Sequence, residues 1–118
     1  MSYLLLIMER ADRRTGRSQA QSTMEYESMI EFAKELDRRG LFKGAQSLRS
    51  VAAGARVDKR NGKPNIFDGP FAEAKEIVGG FIHVDCASKD EALALAQECP
   101  ASEWSTVEVR EVGPCYLG

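Results

Sequence analysis

His83 and Asp85 stand two apart in the run Phe81-Ile82-His83-Val84-Asp85-Cys86, and Glu108 and Arg110 stand two apart in Thr106-Val107-Glu108-Val109-Arg110. Residues two apart in an extended strand share a face. One face therefore presents an imidazole beside a carboxylate, the other a carboxylate beside a guanidinium. The first pair suits general acid–base chemistry, because imidazole exchanges protons near neutral pH and a neighbouring carboxylate influences its charge. The plainer role for His83, the single histidine of the chain, is a satisfied structural or surface residue. The second pair can orient an anionic or enolic ligand, or form a structural ion pair lining a buried interface. If the interleaved Ile82, Val84, Cys86, Val107 and Val109 pack on helices, all four side chains look into one cleft. His83 and Asp85 are then the catalytic candidates, and Glu108 and Arg110 the ligand-binding ones.

Two other segments carry candidate groups. In Asp68-Gly69-Pro70 the aspartate can accept from the backbone N–H groups of its own turn, a structural role; Glu73 and Lys75 follow it. Asp68 and Lys75 join the ligand-binding candidates, with a solvated surface position the alternative for Lys75. Arg10, Arg13, Arg14 and Arg17 lie in one loop. They can draw an anionic substrate toward a cleft, or be a solvated loop that keeps the protein soluble, and the solvated loop is the favoured reading. No G-x-G-x-x-G, Walker, H-E-x-x-H or zinc-ligand spacing occurs, so neither a cofactor nor a metal is expected.

These residues need elements to position them. Tyr3–Met8 is apolar on both faces and predicts a central strand. Ser22 and Glu25 form an S-x-x-E capping box, after which Met29, Phe32, Ala33 and Leu36 recur at helical spacing until Gly40. Phe42–Leu48 reads as a strand. Ala55–Lys59 and Asn65–Phe67 flank Asn61-Gly62, a hairpin signal. Gly79-Gly80 punctuates before the strand Phe81–Cys86. A second capping box, Ser88 and Glu91, opens a helix lined by Ala92, Leu95, Ala96 and Cys99 and ended by Pro100, and Thr106–Val112 alternates as a last strand. The order is βαβ, a hairpin excursion, then βαβ: an α+β, ferredoxin-like βαββαβ-type subunit with an inserted hairpin. Two helices cover one face of such a sheet, whereas the first strand is apolar on both. A second copy covering the other face predicts a homodimer.

Length and composition agree. The 118 residues, 43% hydrophobic and 29% charged, suit one soluble domain over residues 1–118. The longest apolar run is far short of the roughly 20 residues that cross a bilayer, and it carries no signal-peptide pattern, so a cytoplasmic location is expected. Cys86, Cys99 and Cys115 are odd in number and lack C-x-x-C spacing, which predicts reduced thiols, two of them packed as small hydrophobes. Residues 1–63 carry 13 Lys/Arg against 8 Asp/Glu, and residues 64–118 carry 3 against 10. A sheet that interleaves the two halves would mix these charges, and with no recognition motif present nucleic acid is not an expected partner.

The segment Asp68-Gly69-Pro70-Phe71-Ala72-Glu73-Ala74-Lys75-Glu76, followed by Gly79-Gly80-Phe81, resembles the signature of the DGPF branch of the YCII-related proteins. The opening Tyr-Leu-Leu-Leu-Ile strand, Ser88 to Ala92 and Val107 to Arg110 extend the resemblance over nearly the whole chain. It implies a dimeric α+β barrel of ferredoxin-like subunits. Relatives in that wider superfamily include muconolactone isomerase, polyketide cyclases and monooxygenases, and the YCII-related group includes a dehydrochlorinase of a chlorinated polyhydroxybenzene. The His–Asp pair proposed for YCII proteins has its histidine in the N-terminal half, where this chain has none, so that mechanism is not carried over. Two functions follow. One is a small-molecule-binding protein or cofactor-independent enzyme, of isomerase or lyase kind, handling a polar cyclic or aromatic anion in a dimer-interface cleft. The other is a non-catalytic accessory or regulatory module of an extracytoplasmic-function sigma-factor system, implied by the family's gene neighbourhoods.

Overall fold

The computed structural model describes residues 1–118. Its elements are β1 (Ser2–Arg10), α1 (Gln19–Arg38), β2 (Phe42–Ser47), β3 (Ala55–Asp58), β4 (Asn65–Asp68), β5 (Glu76–Asp85), α2 (Lys89–Glu98) and β6 (Thr106–Glu111). Four strands form one sheet in the order β2-β5-β1-β6, and β3 pairs with β4 separately. Every pairing is antiparallel. This is the α+β, ferredoxin-like arrangement, and it interleaves the basic first half of the chain with the acidic second half. No helix is long and apolar enough to cross a membrane.

The helices cover one sheet face. Tyr3 and Leu5 of β1, Ile82 and Val84 of β5, and Cys86 just beyond it are buried there with Phe32 and Leu36 of α1 and Ala92, Leu95 and Ala96 of α2; Val107 and Val109 pack against this core. Burial of this kind contributes roughly 25 cal/mol per Å² of apolar surface and is the main force holding the two layers together. Cys86 and Cys99 are buried free thiols and Cys115 is exposed. Burial pushes the Cys86 and Cys99 thiols up from their ordinary pKa, which keeps them protonated and hydrophobic.

Local signals explain most boundaries. Gly40, at φ +73°, ends α1 in a left-handed turn, with Gly40 N–H donating to Asp37 O and Leu41 N–H to Leu36 O; a side chain at this φ would be strained. Ser88 Oγ accepts from Glu91 N–H, and Glu91 Oε2 accepts from Ala87 N–H, so the second capping box caps α2. The first does not form. Helix α1 starts earlier, with Ser18 Oγ accepting from Gln21 N–H, because Glu25 is drawn to arginines rather than to the helix terminus.

Gly79-Gly80 lies inside β5, not before it. Ile7 pairs with Gly80 and Met8 with Val78, so Gly79 is the extra residue of a β-bulge. The glycines admit close neighbours: a Cβ on Gly80 would come 2.7 Å from Gln46 O, and one on Gly79 would come 2.8 Å from Glu9 Cδ.

The hairpin β3–β4 stands away from the main sheet. Asn61 and Gly62, both at positive φ, form its tip, and Pro64, lacking an N–H, blocks a further ladder bond beyond the Asp58–Asn65 pair. The radius of gyration is 16.0 Å and the extents 46 × 42 × 19 Å, against about 13–14 Å for a compact chain of this length. The arm leaves Val57, Ile66 and Phe67 exposed.

Candidate functional site

Alternation along β1 continues the helix-facing row Tyr3, Leu5, Ile7 to Glu9, so a carboxylate takes a core position and is only 5% exposed. Such a charge needs a partner, and the loop after β1 returns Arg14 to it, with Nε 2.7 Å from Glu9 Oε1. The approach is close but poorly aligned, and neither Glu9 Oε1 nor Arg14 Nε has a hydrogen-bond partner. Arg14 spends its other nitrogens on backbone: Nη1 donates to Leu48 O at 2.6 Å and Nη2 to Gly79 O at 3.2 Å. It thereby joins the root of the hairpin arm to the bulge of β5.

A second charged group lies beside it. Glu25 of α1 is 9% exposed. It accepts two hydrogen bonds from Arg13 (2.8 and 2.6 Å), one from Arg17 Nη1 (2.8 Å) and one from Gln21 Nε2 (3.2 Å). Chiefly the Arg13 hydrogen bonds, opposed by burial and aided by Gln21 and Arg17, hold the Glu25 carboxyl down at about 2. Arg13 also stands 5.7 Å from the centroid of the Trp104 ring, in cation–π range. Three guanidiniums thus face two carboxylates, leaving one positive charge over.

These groups border a cavity of about 230 Å³ between α1 and the sheet. Glu9, Arg14, Arg17 and Glu25 form its polar wall, and Ile7, Met29, Ile82 and Trp104 are among the apolar side chains opposite. Arg17 Nε, like Glu9 Oε1, is buried without a partner. The bulge glycines form part of the wall, and Gly79 leaves the room that the Glu9 carboxylate occupies. The arginine loop is therefore not simply solvated: Arg13, Arg14 and Arg17 are half-buried and committed to ion pairs, and Arg10, paired with Asp12, is exposed. No three His, Cys, Asp or Glu side chains converge as metal ligands do.

The residues singled out from sequence lie elsewhere. Val107 and Val109 face the helices, so Glu108 and Arg110 point to the opposite, open face, as do His83 and Asp85. Arg110 and His83 flank Leu4 in one row across the sheet, and Glu108 and Phe81 flank Leu6 in the next. The intervening strand β1 puts His83 roughly 10 Å from Arg110, so the four share a face without converging. Arg110 Nη1 lies 3.4 Å from Glu108 Oε2 in an exposed pair. His83 Nε2 lies 3.1 Å from Ser2 Oγ. Asp85 instead meets the terminal amine of Met1 at 3.1 Å, whose hydrogen bond and charge hold its carboxyl below the usual range.

The Asp-Gly-Pro-Phe segment is bound up with the arm. A Cβ on Gly69 would overlap Val51 O, Gly69 N–H donates to Gly54 O at 2.9 Å, and Phe71 lies 4.0 Å under the Arg56 guanidinium. The Asp68 carboxylate is exposed and accepts no hydrogen bond from its own turn, unlike the expectation from sequence, because the Gly69 N–H is taken by Gly54. Lys75 is exposed, and only its backbone oxygen is engaged, by Ala11 N–H at 3.1 Å.

Glu9, Glu25, Trp104 and the two glycines were not among the candidates from sequence. A glutamate in phase with the apolar row of β1, followed by three closely spaced arginines, is the signal that points to them.

A ferredoxin-like subunit with a charged cavity between its first helix and its sheet is the class of protein that fold and site define. The chain belongs to the family of the YCII-related domain, whose model matches residues 1–115. It is also 44% identical over 67 residues to an uncharacterised protein of Rhizobium meliloti (strain 1021), an alignment spanning 57% of this chain and 53%, about half, of that protein.

Proposed function

We propose that this is a small-molecule-binding protein whose cavity between α1 and the sheet takes a compact cyclic or aromatic anion. The observation that carries this is the cavity wall itself: an apolar floor of ring and aliphatic side chains facing the Arg14 and Arg17 guanidiniums, with Arg13, outside the lining, holding Glu25 so that three guanidiniums meet two carboxylates. Ligand pockets combine such a lining with a few fixed polar groups, and at about 230 Å³ this one lies just under the usual range of roughly 300–1,000 Å³, which suits a single ring. The chemistry such a wall supports is cofactor-independent proton transfer, of isomerase or lyase kind: a buried carboxylate takes the proton while a guanidinium holds the anion that forms.

A second copy belongs to the same reading. The open face carries Leu4, Leu6, Met8 and Phe81 at the centre of the sheet, all only half-buried in one subunit, and the separate arm exposes Ile66 and Phe67. A two-stranded ribbon is marginal by itself, and a central strand apolar on both sides calls for cover on both. In the homodimer His83, Asp85, Glu108 and Arg110 would border the interface rather than the ligand cavity.

Thermal shift tests the ligand reading. Benzoate is expected to raise the melting temperature and neutral benzamide to leave it unchanged, with the benzoate response weakened in Arg17→Met. Equal response to both compounds, or none to either, counts against an anion cavity. Light scattering tests the pairing, with twice the 13.0 kDa subunit mass expected.

A further inference from the structure

At one end of the open face, where β2, β5 and β1 lie side by side, three reactive groups meet on one oxygen. Lys43 Nζ donates to Ser2 Oγ at 3.2 Å, and His83 Nε2 lies 3.1 Å from the same oxygen. An ammonium can only donate, and the hydroxyl makes no other hydrogen bond. The arrangement that uses the hydroxyl proton therefore has Ser2 donating to Nε2 of a neutral imidazole. A serine hydroxyl bonded to an imidazole nitrogen at about 2.6–3.2 Å is the pairing that turns serine into a nucleophile.

The backbone brings these groups together. Ser2 and Leu4 alternate with the buried Tyr3 and Leu5, so Ser2 shares the open face with His83, the cross-strand partner of Leu4. On β2, Phe42 pairs with Val84 and Gly44 with His83, which makes Lys43 the extra residue of a bulge, and bulges re-aim side chains. Ser2 and His83 are half-buried and Lys43 is exposed, so a small molecule reaches the cluster from solvent, and half-buried Leu4 beside it offers an apolar rest. Asp85, two residues along the same face, has a carboxylate that feels the charges of both Lys43 and His83. It balances the ammonium, which would otherwise oppose protonation of the imidazole.

We propose that Ser2, His83 and Lys43 form an acyl-transfer site for small carboxylic esters. It is separate from the cavity under α1 and stands whether or not that cavity holds an anion. Ser2 Oγ attacks the carbonyl carbon as its proton passes to His83 Nε2, and Lys43 Nζ, already against the attacking oxygen, stabilises the negative charge that develops on the carbonyl oxygen. The bond from the carbonyl carbon to the ester oxygen then breaks, and the imidazolium gives its proton to the departing alcohol. Water, deprotonated by the same imidazole, attacks the acyl-serine; the acid leaves and the proton returns to Ser2 Oγ.

The probe is a fluorophosphonate, which phosphonylates activated serines with loss of fluoride, applied to the whole protein with the adduct located by peptide mass spectrometry. Ser2 is expected to label about a hundredfold faster than Ser47, which is exposed and has no imidazole beside it. In His83→Gln the labelling of Ser2 should fall by about the same factor, and in Lys43→Met by about tenfold. With p-nitrophenyl acetate a stoichiometric burst of nitrophenolate is expected, lost in Ser2→Ala; a burst that survives there comes from acylation of another group and counts against the site. Equal labelling of Ser2 and Ser47 in the unaltered protein, or of neither, overturns the proposal without need of any variant. Labelling of Ser2 that is unchanged in His83→Gln overturns it as well, since the hydroxyl then reacts unaided.

Discussion

The two faces of the main sheet treat charge in opposite ways. On the helix side, Glu9 and Glu25 are buried and each is met by arginines from the loop that joins β1 to α1. On the open side, Glu108 and Arg110 meet only each other, at 3.4 Å with side chains 47% and 68% exposed, and Asp85 meets a chain terminus. Buried charge is tolerated only when its partners are fixed by the fold, so the helix side must be rigid where the open side need not be. A site that depends on buried charge belongs on the former. The open side, polar at its edge strands and apolar along β1, has the character of a surface awaiting cover.

Substitutions at the bulge break the helix side most severely. In Gly80→Ala the new Cβ falls 2.7 Å from Gln46 O, a backbone atom of the neighbouring strand, so β2 or β5 must move. A loss of about 3 kcal/mol is expected, at the upper end for overpacking, read as a lower urea midpoint. Gly79→Ala should cost less, about 1 kcal/mol, because its Cβ meets the Glu9 side chain rather than backbone.

The next effect is that of Glu25. Removing its carboxylate in Glu25→Ala leaves Arg13 and Arg17 half-buried and loses their pairing, an expected loss on the order of 2 kcal/mol, below the ~3–5 kcal/mol of a fully buried pair because both arginines retain some water. The pH dependence follows from the carboxyl pKa, which lies near 4.5 as a free group and about 2 in the folded chain. A depressed carboxyl pKa stabilises the fold in full above the unfolded value, so the contribution is present above about pH 4.5 and is lost as pH falls toward 2. Urea midpoints measured between pH 7 and 2.5 should fall more steeply below pH 4.5 in the parent protein than in Glu25→Gln. Parallel profiles would mean that Glu25 is no better paired than a surface carboxylate.

The contrast between the faces also marks what was legible in the sequence. Period-two and helical patterning located β1, β6 and both helices, Asn61-Gly62 located the arm's turn, and the alternation of Val107 and Val109 with Glu108 and Arg110 put the two pairs on opposite faces of β6, without saying which face meets the helices. What escaped was long-range. Arg14 is satisfied by Leu48 O, 34 residues on, and by Gly79 O, 65 residues on, and no local pattern reports such partners. Ser22-x-x-Glu25 matched a capping motif because the residue types are the same, yet Arg13 and Arg17 offer Glu25 a charged partner and Ser18 supplies the cap one turn earlier. Gly79-Gly80 looked like a break because paired glycines usually are, whereas here they serve close packing within a strand.

On the open face, substitutions of apolar residues should leave a single subunit intact and act on the proposed pairing. Leu6→Lys places a charge in the middle of the exposed row and is expected to shift light-scattering mass from two subunits to one, with the circular dichroism of the fold retained. An unchanged mass would move the interface elsewhere, with the arm bearing Ile66 and Phe67 the next surface to alter.

The smallest effect belongs to the residues that first drew notice. An exposed ion pair gains little, because water screens its attraction and two long side chains must be ordered to make it, so such pairs contribute about 0–1 kcal/mol. Glu108→Gln is therefore expected to change stability by less than about 0.5 kcal/mol, measured in a form held monomeric by the uncharged Leu6→Asn, since a lysine at position 6 would itself pair with Glu108 across the strands. In the paired form the same substitution has a second reading. If the partner covers Glu108 and Arg110, the pair is desolvated, and removing one charge strands the other at a larger cost. The difference between Glu108→Gln in the two backgrounds thus measures how far the interface reaches across β6. A cost that stays below about 0.5 kcal/mol in both confines the contact to β1 and β5, and the charged pair then remains at the solvated edge.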